Sequence, residues 1–86
     1  MNFEELHNIC KELDELIQKK NKMYGDGNVD KMGKPGVITR IEEKIERLKH
    51  LLKTNYNPEE EPIEDTWKDI AGFAIIGLML ERGKWK

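Results

Sequence analysis

Eighty-six residues make one small domain, and a chain of this size buries only about 60% of the surface that its unfolded form exposes, which excludes a large cleft built by one chain. Charged types, at 37%, equal apolar types, at 37%, and 17 acidic against 15 basic side chains leave a net charge of −2. No global attraction to duplex nucleic acid or to an anionic membrane follows from that balance.

The first element is a helix over about residues 3–24. Asn2 with Glu5 three residues on gives a capping-box start, and Phe3, Leu6, Ile9, Leu13, Leu16 and Ile17 step by three and four along one face. The pattern reaches Met23 and Tyr24 and then breaks. From Gly25 to Gly36 the run GDGNVDKMGKPG holds four glycines and one proline, which predicts a loop.

A second helix over about 36–54, starting near Pro35 or Thr39, carries Ile38, Ile41, Ile45, Leu48 and Leu52 on one stripe. Asn57, Pro58 and the EEEP run form an acidic turn over 56–62. Pro62 suits the first turn of a third helix, about 62–82, which Gly83 stops.

That third helix is apolar on every side from Ile70 to Leu80, yet these eleven residues are too few to span a bilayer, so a core helix is predicted. At about 1.5 Å per residue the three helices come out near 30 Å each, which suits an all-α antiparallel bundle in a single domain, 1–86. Three helices cannot cover a helix apolar all round. The bundle is therefore expected to be completed by self-association, as a dimer or tetramer, the alternative being a monomer with an exposed patch.

The N-terminus lacks a basic region followed by an apolar stretch, and Cys10 is the one cysteine, without a disulfide or CxxC partner. A cytoplasmic location without membrane attachment is the expectation.

Glu42 and Glu46 flank the apolar stripe of the second helix one turn apart, and Asp65 and Asp69 are spaced likewise on the third. Like charges at i and i+4 repel, more so when partly buried, so a counter-charge is expected. Several carboxylates suit Mg²⁺ or Mn²⁺, which hold phosphate oxygens in turn. Arg40, Lys44 and Arg47 lie within about 60° of one another on the other flank and make a candidate phosphate clamp. The ordinary alternative is a solvated charged surface, with Glu43 pairing Arg47 at i+4.

Three blocks, KNKMYGDG from Lys20, RIEEKIERL from Arg40 and EDTWKDIAGFAII from Glu64, resemble the DUF1599 family, also called nucleotide modification associated domain 1. That family occurs largely in phages and bacteria and is similar to a short form of the all-α MazG-like nucleoside triphosphate pyrophosphohydrolases. The resemblance runs from about Leu13 to Leu80. It implies Mg²⁺ bound by an ExxE and an ExxD on successive helices of an oligomer, with water attacking a nucleotide phosphate. Glu43 and Glu46 match the ExxE and would be the catalytic pair; with Glu42, Asp65 and Asp69 they would be the metal set. The second half departs from the pattern, because Thr66 stands three before Asp69. In the family's KNxxYG pattern, Lys20, Asn21 and Tyr24 would recognise the nucleotide, Asn21 through a base edge or sugar and Tyr24 by stacking. The alternative for Tyr24 is a helix-end aromatic that packs on the bundle.

Other signals are weaker. Asp26, Asn28 and Asp30 open like a calcium loop, but Lys31 stands at the required glycine and Val37 at the required glutamate. Gly33 and Lys34 lack the remainder of a P-loop. His7 and His50 are single, unpaired histidines that read as polar surface residues, and Trp67 and Trp85 suit packing or an interface. Two functions follow: a homo-oligomeric protein that binds a nucleoside phosphate through Mg²⁺, or a non-catalytic helical adaptor or phage accessory protein that uses the third helix and the acidic turn.

Overall fold

The computed structural model describes Met1–Lys86 and is all-α, with three helices and no strand. These are α1 (Phe3–Tyr24), α2 (Gly27–Thr54) and α3 (Ile63–Glu81). No helix is long and apolar enough to cross a membrane. The chain falls into two compact units, Met1–Lys31 and Met32–Lys86.

In the first unit, Asn2 caps α1: its Oδ1 accepts the Glu5 N–H at 2.9 Å. Gly25, at φ 70°, ends the helix and donates its N–H to the Asn21 carbonyl at 2.7 Å. Leu13 and Val29 are the buried apolar residues of this unit, while Phe3, Leu6 and Ile9 stay exposed.

The expectation of a loop throughout 25–36 is corrected here. Residues 27–32 form a helical turn that runs into α2, and the backbone leaves helical geometry only at Gly33, φ 58° and ψ −163°. Turning is confined to Gly25 and Gly33, whose backbones need the freedom of a missing Cβ. Gly36 serves a different purpose: a Cβ there would fall on the Met32 Cβ and Cγ, so the chain can close up across the break only with glycine. Beyond it, α2 continues without interruption to Thr54.

In the second unit, Asn55, at φ 54°, ends α2, and the Tyr56 N–H reaches back to the Leu51 carbonyl at 3.1 Å. Pro62 is the N-cap residue of α3, one place before the first-turn position expected for it. It offers no side-chain cap, and Asn57 supplies one instead, its Oδ1 accepting the Ile63 N–H at 2.9 Å. Gly83, at φ 64°, closes α3, and the Lys84 N–H bonds the Met79 carbonyl at 2.8 Å.

The contacts between α2 and α3 rise along one helix as they fall along the other. Lys34 meets Glu81 at 3.2 Å, Val37 faces Gly77, Lys44 meets Asp69 at 3.0 Å and Arg47 meets Thr66. The two helices are therefore antiparallel. Val37, Leu48 and Leu51 are buried on α2, and Thr66 is buried on α3.

This seam corrects the stripe read from the sequence. The face of α2 turned to α3 is centred on Val37, Lys44, Leu48 and Leu51, about 60–70° round the helix from the predicted one. Ile38, Ile45 and Leu52 fall outside it and are 57%, 38% and 66% exposed. The physical reason is width, because the apolar arc from Val37 to Leu52 is broader than one neighbouring helix covers.

Candidate functional site

The α2–α3 pair has two different sides, and the one-residue offsets show how. A residue that follows an inward position is rotated about 100° to one side, and a residue that precedes it is rotated about 100° to the other. Because the helices are antiparallel, the same offset on each points to the same side of the pair. Followers are Ile38, Ile45, Lys49 and Leu52 on α2 and Trp67 and Leu78 on α3, all exposed and, apart from Lys49, all apolar. On the preceding side lie Glu43, Arg47 and His50 of α2 and Asp65 and Ile76 of α3, with Arg40 and Asp69 beside them.

The polar side is held together by ion pairs and hydrogen bonds. Arg40 reaches Glu43 at 3.4 Å, with both side chains more than half exposed, so this pair contributes little to stability. Lys44 and Asp69 are different: their side chains are only 25% and 15% exposed, and their contact crosses between the helices. Arg47 binds the hydroxyl of buried Thr66, the Glu61 carbonyl at 2.9 Å and the Glu61 carboxylate at 3.5 Å. One guanidinium thus ties α2 to both the acidic turn and α3.

The predicted residues are sorted accordingly. Glu43, Asp65 and Asp69 share the polar side with Arg40 and Arg47, bringing together acids from the second and third sequence blocks. Glu42 and Glu46 do not join them. Glu46 lies opposite the seam and pairs with Lys49 at 3.4 Å, and Glu42 lies on the outer rim of the apolar side. The expected free clamp is also rearranged, since Lys44 and Arg47 turn inward to α3 and Glu43 pairs with Arg40 instead of Arg47.

The carboxylates are hard oxygen donors of the kind that suits Mg²⁺ or Mn²⁺. However, no group of three or more His, Cys, Asp or Glu side chains is gathered so that it could hold a metal ion. Glu42, Glu43, Glu46, Asp65 and Asp69 therefore do not converge as a metal centre within one chain. Asp69 faces a lysine at the position where a cation was expected.

Lys20, Asn21 and Tyr24 belong to the first unit, in the last turns of α1. Asn21 braces the turn there, its Nδ2 donating to Asp26 Oδ1 at 2.6 Å, while Tyr24 is 71% exposed. Two residues that matter to the polar side were not singled out from the sequence. In the sequence Thr66 stands out only as a mismatch to the ExxD pattern, although its spacing of eleven from Gly77 places it on the inner face of α3. Asn57 announced itself only as a turn residue, because a cap six residues from its target leaves no local spacing signal.

No family model, curated protein or solved structure matches the chain.

Proposed function

We propose that the polar side of the α2–α3 pair binds a nucleoside phosphate that arrives as its Mg²⁺ complex. One observation carries this: Glu43, Asp65 and Asp69 lie on or beside the side that carries Arg40 and Arg47, with Lys44 turned to Asp69 at the seam, so acids for a cation and cations for phosphate lie near one another on two antiparallel helices. The second and third resemblance blocks contribute those residues, which supports the nucleotide as ligand class. Phosphate oxygens would compete with Asp69 for Lys44, and Glu43, Asp65 and Asp69 are the carboxylates that would hold the Mg²⁺. Lys20, Asn21 and Tyr24, in the first unit, are proposed as nucleotide-recognising residues on the resemblance alone.

The test is calorimetry with the common nucleoside triphosphates and monophosphates, with Mg²⁺, with Mn²⁺ and with chelator. The reading predicts saturable binding that needs the divalent ion, weakened about tenfold or more by Asp69→Asn and by Arg40→Gln. Pyrophosphate release in the same mixtures would add hydrolysis to binding. Heats no larger than dilution across the panel contradict the reading.

A second reading is favoured by the absence of a gathered carboxylate group and by the exposed apolar side: a helical adaptor that acts through protein contacts. It predicts no nucleotide heat together with saturable binding to a protein partner.

A further inference from the structure

We propose that the end of the α2–α3 pair where α2 begins and α3 finishes binds a single strand of nucleic acid, through Lys34, Arg82, Lys84 and Lys86 with Trp85 among them. The proposal does not rest on the Mg²⁺–nucleotide reading, because none of these residues belongs to the set assigned to that ligand.

Charge is distributed unevenly along the second unit. From Met32 to Lys86 it carries ten acidic and ten basic side chains, so with His50 neutral it has no net charge. Five of the acids, Glu59, Glu60, Glu61, Glu64 and Asp65, lie in the acidic turn and the first turn of α3. At the opposite end, residues 32–39 and 70–86 hold four cations, Lys34, Arg82, Lys84 and Lys86, against one acid, Glu81. Lys34 meets Glu81 at 3.2 Å, which sets the start of α2 beside the end of α3 and the residues that follow it. Both side chains of that pair are more than half exposed, so Lys34 readily exchanges its partner for a phosphate. The net charge of −2 excludes attraction by the chain as a whole, but not by this end of it.

The segment that follows α3 is held in place. Gly83, at φ 64°, turns the chain, the Lys84 N–H bonds the Met79 carbonyl at 2.8 Å, and Trp85 is half-buried while its neighbours Lys84 and Lys86 are exposed. The ordinary reason for cations here is the dipole of α3, but that field fades within the last turn, and Lys84 and Lys86 lie beyond the C-cap residue Arg82. Spaced cations flanking an aromatic ring are the chemistry that a single strand requires: the cations take phosphates and the ring takes the face of a base. A duplex keeps its base faces inside the stack. A bilayer anchor needs a ring that leaves the protein surface, whereas Trp85 rests partly within it.

The test is the fluorescence anisotropy of a labelled oligothymidylate titrated with the full chain in the presence of chelator, so that no binding runs through Mg²⁺. Saturable binding is expected at about 50 mM salt, and with four phosphates neutralised the affinity should fall about fiftyfold between about 50 and 200 mM. Lys84→Glu combined with Lys86→Glu should weaken binding about tenfold or more and flatten that salt dependence, with helicity by circular dichroism unchanged, since both side chains are exposed. Trp85→Ala should weaken binding about fivefold or more, and Trp85→Phe should recover most of the loss, because a second aromatic ring restores stacking. No anisotropy change at the lower salt, a doubly reversed chain that binds like the wild type, or a Trp85→Phe variant as weak as Trp85→Ala overturns the proposal. Capture by anionic phospholipid vesicles with none by the oligonucleotide overturns it as well.

Discussion

Arg47 concentrates three structural duties in one side chain. Its guanidinium satisfies the hydroxyl of Thr66, which is 1% exposed, and holds the Glu61 carbonyl and carboxylate. Removing it strands a buried hydroxyl, so Arg47→Met is expected to cost about 2 kcal/mol in urea unfolding, whereas Glu43→Gln, on an exposed pair, should cost under about 0.5 kcal/mol. Equal losses for the two variants would contradict this account of the polar side. Gly33 is a second single-residue device, at φ 58° and ψ −163°, a conformation that only glycine adopts without strain. Gly33→Ala should lower stability by about 1–3 kcal/mol, read by the same unfolding experiment; a neutral result would mean that the break is not needed. Neither role was legible in the sequence. Arg47 was grouped with Arg40 and Lys44 by spacing, and spacing cannot tell an outward arc from one that a neighbouring helix covers.

The helices themselves were legible, because their signals are local. The α1 stripe, the Asn2 cap and the Gly83 stop each act within a few residues of the element they define. The stretch 25–36 misled for an instructive reason: four glycines suggest continuous turning, but only two of them take positive φ, and Val29 is buried within a short helical turn between them. The direction in which α2 faces was likewise beyond local signals, since an arc from Val37 to Leu52 fits more than one choice of inner face. On α3, Gly77 gives a positive test. A Cβ there would sit 3.7 Å from Val37 Cγ1, in ordinary contact. Gly77→Ala is therefore expected to raise stability by about 0.5–1 kcal/mol in thermal or urea unfolding, by adding helix propensity without a clash. A loss instead would show that α2 and α3 approach more closely than described.

At the scale of the molecule, the α2–α3 pair has unlike sides, one rich in charge and one mainly apolar. The sequence blocks identified which residues carry charge, but which carboxylates share a side depends on helix rotation, and that separated Glu43, Asp65 and Asp69 from Glu42 and Glu46. A nucleoside phosphate is the ligand proposed for the charged side. That proposal can be read from backbone amide shifts of the ¹⁵N-labelled chain, titrated with nucleoside triphosphates and excess Mg²⁺. Saturable shifts at Arg40, Glu43, Lys44, Arg47, Asp65 and Asp69, with Ile38, Ile45, Leu52 and Leu78 unmoved, are the predicted result. A spectrum unchanged by every nucleotide, or shifts gathered on the apolar side instead, would contradict it.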